Sequence, residues 1–219
     1  MNFIQIMNNL GIIIEKLDAM RLEAVNKHGS WILKTEPNAF NVFSVFDKVV
    51  TVPLELLVYY KALWENPATR QPAHDMEERI KVITSMCFVS CLSALEYFMK
   101  DCLRKTVKGP LLSWYKGIRK EKRHISFYDI LEESRDEGIL SQSDFDKLDG
   151  VRLLRNALVH NNGISDLDYK WKIDDVILEF KKDHPVRHKL WAYSGLIETI
   201  NRQTGGWAKE YLEPHSFQS

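Results

Sequence analysis

SDFDKLDGVRLLRNALVHNNG, residues 143–163, is the stretch whose reading decides the fold. Ser143 stands before Asp144 and Asp146, acids suited to the positive end of a helix. Asn161, Asn162 and Gly163 close the segment, and these residues take the left-handed conformation that ends one. Between the ends, Phe145, Leu148, Val151, Leu154 and Leu158 recur at three- and four-residue spacing, which predicts a core-facing stripe. Leu153, Ala157 and Val159 fall off that stripe, so the last three turns are apolar nearly all round. A helix of that kind is covered on more than one side. Arg155, Asn156 and His160 nevertheless sit inside it, and covered polar groups need partners.

Asn156 and His160 are four residues apart and share a helix face opposite the stripe. Arg155 lies about 100° round from Asn156, and its long side chain reaches the same region. His160 falls in the last turn, where the negative end of the helix dipole favours an imidazolium. An arginine beside a titratable histidine suits an anion and a proton transfer, and phosphate is the obvious anion. The same three residues near a helix end also fit a plainer purpose, in which His160 helps cap the terminal carbonyls.

The string Arg155-Asn156-Ala157-Leu158-Val159-His160, followed by Asn161-Asn162-Gly163, resembles the motif of HEPN domains: an arginine, a polar residue, several mostly apolar residues, then histidine. The strict match covers about ten residues, and a looser one the helical region from about 75 to 205. The resemblance implies an all-α, up-and-down helical bundle that often dimerises. It also implies, in many members, a metal-independent endoribonuclease with no cofactor; other members serve as binding or scaffolding modules.

The 219 residues fit one domain, or one domain with a helical extension. With 45% apolar residues the chain has material for a core, which argues against global disorder. The formal net charge is zero, so any nucleic-acid surface must be local. No apolar run approaches the ~20 residues of a bilayer span, and the start, MNFIQIMNNLGIII, lacks a signal peptide's basic region and cleavage site. Neither a membrane nor an exported location is expected. Cys87, Cys91 and Cys102, odd in number and on one predicted helix, read as reduced core thiols of a cytoplasmic protein. No metal pattern accompanies them.

Outward from the motif, residues 2–27 read as an amphipathic helix, and 39–50 as an apolar run in which helix and strand are hard to separate. Pro53 reads as the start of a helix to Trp64. The segment from Asn66-Pro67 to Pro72 is the clearest linker, dividing an extension (1–70) from a helical bundle (71–219), unless the whole is one compact domain. Residues 74–105 carry the longest helical pattern. Glu96 interrupts its apolar run, either on an exposed strip or as a partner for Arg155 or His160. From Arg104 to His124 the chain is basic, and Lys116, Arg119, Lys120, Lys122 and Arg123 surround Trp114 and Tyr115. Such a mixture suits single-stranded RNA, but it also suits a solvated loop whose rings pack inward and whose charges pair with Asp129, Glu132, Glu133, Asp136 and Glu137. Ser126 and Asp129 form a capping-box pattern for a helix ending near Gly138. Residues 166–182 are a hairpin or an irregular excursion, and the His184/His188 pair is a weak metal candidate broken by Pro185. A last helix over 190–201 is expected to stop at Gly205-Gly206, leaving a peripheral tail.

By the resemblance, His160 is the general base or acid, Arg155 the clamp on the phosphate, and Asn156 the group orienting His160 or a phosphate oxygen. The 2′-hydroxyl attacks the adjacent phosphate to leave a cyclic phosphate. Because one histidine serves a reaction needing both acid and base, a homodimer through the motif helix is expected. The analogy extends to a toxin or phage-defence role with an antitoxin or other inhibitory partner. A non-catalytic nucleotide- or protein-binding module is the alternative.

Overall fold

In the computed structural model, residues 3–29, 42–69, 72–105, 109–121, 124–161, 163–173, 176–186 and 192–212 are described. They form an all-α bundle with one small hairpin: α1 (Phe3–Glu23, continued by a π-helical turn Ala24–Gly29), α2 (Val42–Glu65), α3 (Ala73–Lys105), α4 (Leu112–Lys120), α5 (Phe127–Asp136), α6 (Gln142–His160), β1 (Tyr169–Ile173), β2 (Val176–Phe180) and α7 (Ala192–Leu212).

The long helix α3 is the axis of the bundle. Ile80, Cys87, Cys91, Leu95, Phe98 and Cys102 are buried along it at helical spacing. Helices α1, α2, α6 and α7 all pack against it. One apolar cluster runs from Leu10 on α1 through α3 to Tyr211 on α7, across the sequence break at residues 66–72. Cys87, Cys91 and Cys102 are free and buried, as core thiols. A hydrogen bond with Cys87, and then burial, push the Cys91 thiol well above its ordinary range. Contrary to the sequence expectation, α3 is by length and composition long and apolar enough to cross a membrane, though half of its most apolar stretch lies inside the bundle.

Several local readings are corrected. The apolar run from Val42 and the segment from Pro53 are one helix, with Pro53 inside α2 rather than at its first turn. Proline has no N–H to offer the carbonyl four residues back, an omission worth about 3 kcal/mol in a helix interior. The carbonyl concerned belongs to Val49, and the Cys87 thiol of α3 donates to it at 3.5 Å. Burial of Phe43, Phe46, Val50, Leu57 and Trp64 on the same helix outweighs the rest of that cost.

The last helix likewise does not stop at Gly205-Gly206 but continues to Leu212, and its end is core rather than periphery. Trp207 and Tyr211 are stacked at 4.6 Å, Phe98 meets Trp207 edge-on, and the indole N–H donates to the buried Ser134 hydroxyl at 3.0 Å. Two glycines cost about 1 kcal/mol each in a helix, less than burying two large aromatics contributes. Residues 187–191 and 213–219, His188 among them, lie outside the described residues.

The motif helix α6 begins earlier than expected. Ser141, not Ser143, is its N-cap, accepting from the Asp144 N–H at 3.1 Å. At its far end the Gly163 N–H donates to the Ala157 carbonyl at 2.8 Å, with Gly163 at φ +80°, where a side chain would be strained. The capping box of α5 forms as its sequence predicts: the Asp129 N–H donates to Ser126 Oγ (3.1 Å) and the Ser126 N–H to Asp129 Oδ2 (2.8 Å). Residues 166–182 resolve in favour of a hairpin, with Tyr169 opposite Phe180 and Trp171 opposite Leu178. The Trp171 ring packs against α6 at Gly150.

Candidate functional site

Arg155 and Asn156 project from the middle of α6 toward α3 and the loop before α5. They line a pocket of about 190 Å3 together with Glu96, His124, Tyr128 and Arg152. The Arg155 side chain is 26% exposed, so its charge is only partly hydrated. Its Nη1 donates to Asn156 Oδ1 at 3.2 Å, and its Nη2 lies 3.9 Å from Glu96 Oε2. Its Nε is buried with no hydrogen-bond acceptor. A guanidinium carries five donors, and those of Arg155 are under-used by the protein.

Glu96 resolves as a paired carboxylate. Its firmer contact is with Lys100 one turn along α3, at 2.6 Å, and Arg155 is its looser neighbour. Arg152 is spent locally: its Nε and Nη2 both lie 2.7 Å from Asp149 Oδ1, and its guanidinium covers the Tyr128 ring at 5.1 Å. The Tyr128 hydroxyl donates to Glu132 at 3.3 Å, and burial followed by that carboxylate pushes its pKa up, so it stays a donor. Of the cations on this pocket, Arg155 is the one whose charge the protein neutralises least closely.

His160 occupies the exposed last residue of α6 and does not line this pocket. Its imidazole makes no hydrogen bond or ion pair with the described residues. It sits one helical turn beyond Asn156, about 5.4 Å along the axis. The fold therefore brings together Arg155, Asn156 and Glu96, and leaves His160 at the open end of their face.

Next to this pocket is a larger one of about 540 Å3, lined by Lys100, Arg104, Tyr115, Arg119, His124 and Ile125. A third, of about 420 Å3, shares Arg104, Tyr115 and Arg119 with it and adds Lys105, Lys116 and Lys120. Tyr115 is buried under Arg119, whose guanidinium lies 5.9 Å from the ring centre, and Trp114 is half-buried. The aromatics of the basic stretch thus pack inward, as the plainer reading of that stretch allows. The cations do not pair as that reading requires. Asp136 and Glu132 take Arg135, Asp129 caps α5, and Arg104, Lys116, Arg119 and Lys120 make no ion pair among the described residues. Lys105 is held by Asp101 at 2.9 Å. Lys122 and Arg123 lie outside the described residues.

His124 was not singled out in the sequence, and nothing in its spacing pairs it with residues some thirty positions later. The fold of the loop before α5 brings it to the wall of the Arg155 pocket. Compared with protein-family models, curated proteins and solved structures, the chain matches none.

Proposed function

We propose that this chain is a metal-independent endoribonuclease of HEPN type, cutting RNA by attack of a 2′-hydroxyl on the neighbouring phosphate. The observation that carries the proposal is the Arg155 guanidinium: half-buried, short of acceptors, and beside a basic pocket whose Arg104 and Arg119 make no ion pair among the described residues. A phosphodiester supplies the missing acceptors and is gripped bidentately. The guanidinium then stabilises the extra charge of the phosphorane. Asn156, already accepting from Arg155, holds it in place. His160, one turn on at the water-exposed helix end, exchanges a proton with the ribose, imidazole being the side chain suited to that transfer. Arg104, Lys116, Arg119 and Lys120 draw the strand in by its phosphates, which makes binding fall steeply with salt. A cell must restrain such an activity, which fits a toxin or phage-defence effector with an inhibitory partner.

One feature favours a second reading. His160 does not line the Arg155 pocket, and an arginine that holds phosphate without a proton-transferring neighbour describes a nucleotide- or protein-binding module. The two separate in one experiment: incubate the protein with total RNA in EDTA, beside Arg155→Ala and His160→Ala. Cleavage that survives chelation and drops at least 100-fold in both variants upholds the nuclease. Nucleotide binding without cleavage, lost in Arg155→Ala alone, upholds the module.

A further inference from the structure

We propose that His124 is a second proton-transferring residue of the site, the one that protonates the 5′-oxygen leaving the phosphate held by Arg155. This rests on the nuclease reading above and adds to it a catalytic residue that the motif does not contain.

Transesterification of RNA needs a base at the 2′-hydroxyl and an acid at the departing 5′-oxygen. Within the motif, His160 is the sole histidine. His124 stands on the wall common to the Arg155 pocket and the larger basic pocket beside it. A strand with one phosphate on Arg155 that continues into the basic pocket must pass this imidazole. There Lys100, Arg104 and Arg119 receive the next phosphate.

The segment carrying His124 is fixed at its next two residues. Ile125 packs on the apolar core and lines the larger pocket. Ser126 lines the smaller one and is locked by the reciprocal capping box with Asp129. The imidazole itself is exposed and makes no hydrogen bond or ion pair among the described residues, so both ring nitrogens are open to a ligand. The charged groups around it are Glu96, Lys100 and Arg104 from α3, Arg119 from α4, and Arg152 and Arg155 from α6. Glu96 is occupied by Lys100 and Arg155, and Arg152 by Asp149. The phenols on these walls are Tyr115, buried under Arg119, and Tyr128, whose hydroxyl donates to Glu132, so the imidazole is the group left free to give a proton to a ligand.

The step balances within one chain. The 2′-hydroxyl gives its proton to neutral His160 as its oxygen bonds to phosphorus. The bond from phosphorus to the 5′-oxygen breaks, and that oxygen takes a proton from the His124 imidazolium. The products are a 2′,3′-cyclic phosphate and a 5′-hydroxyl, and water restores both histidines.

The test uses the whole chain and a short single-stranded RNA containing one linkage that the wild type cuts in total RNA. The same RNA is made with sulfur in place of the 5′-bridging oxygen, because a thiolate leaves without being protonated. With the oxygen linkage, His124→Ala slows cleavage about 100- to 10,000-fold and removes the alkaline fall of the pH–rate profile. With the sulfur linkage, His124→Ala cuts within a few-fold of wild type, whereas His160→Ala and Arg155→Ala stay slow on both. Equal slowing of His124→Ala on both linkages, or no slowing on either, overturns the role of His124 while the nuclease stands. Failure of the wild type to cut any RNA overturns the nuclease, and the role of His124 with it.

Discussion

At the residue scale, burial decides what a side chain of given chemistry can do. Asn156 and Glu96 are ordinary polar residues, but their placement around Arg155 leaves a guanidinium with donors to spare. The opposite case is Tyr193, whose ring meets Phe88 at 5.6 Å and whose burial pushes its pKa from 10 up to about 12. The folded chain therefore holds the phenolic proton more tightly than the unfolded chain does. Its contribution is intact below pH 10 and is lost as pH rises from 10 toward 12, reaching about 2–3 kcal/mol. Tyr193→Phe keeps the ring and removes the titration. Thermal melts across pH 9–12 should show the wild type losing stability relative to the variant over that window. Parallel curves would rule the phenol out as a source of the alkaline loss.

At the scale of elements, the hairpin meets the motif helix where Trp171 packs against Gly150. Gly150 lies mid-helix, where alanine is normally better by about 1 kcal/mol. Here a Cβ would meet the Trp171 ring, which would have to shift. Gly150→Ala is therefore expected to destabilise by about 1–3 kcal/mol, reversing the usual sign. Urea unfolding followed by circular dichroism measures it, and Gly150→Ala with Trp171→Ala should recover part of the loss relative to Gly150→Ala alone. A neutral Gly150→Ala would mean that the hairpin lifts off α6 freely. Neither end of this contact is visible in the periodicity of residues 143–163, since a glycine adds nothing to an apolar stripe. The stripe itself was legible: Phe145, Leu148, Val151 and Leu154 are buried as their spacing predicts, while Leu158 is half-buried.

At the scale of the whole molecule, one exposed apolar patch has the position a second copy would need. Val82 and Met86 of α3 and Val159 of α6 are 55%, 65% and 47% exposed. Met86, Val89, Leu158 and Val159 border a shallow groove of about 330 Å3 immediately before His160. The homodimer through the motif helix that the resemblance implies would bury this patch, because large side chains left in water favour association. Light scattering at micromolar concentration should then give twice the chain mass for the wild type and one chain mass for Met86→Glu with Val159→Glu, with helical content unchanged. A monomeric wild type would remove the dimer and leave the acid–base pair in one chain intact.

The sequence by itself determined the all-α class, the long central helix α3, the α5 capping box, the buried cysteines and the apolar face of α6. Each follows from patterns a few residues long, set by helical pitch and by hydrogen bonds between near neighbours. Tertiary structure decided the rest. Pro53 is tolerated inside α2 because Cys87 on another helix meets the freed Val49 carbonyl. Gly205-Gly206 fails to end α7 because Trp207 finds Ser134 and Phe98 from distant parts of the chain. His124 reaches Arg155's pocket, while His160, five residues from Arg155, faces open water. Such outcomes depend on which surfaces meet across the core, and no local spacing encodes that.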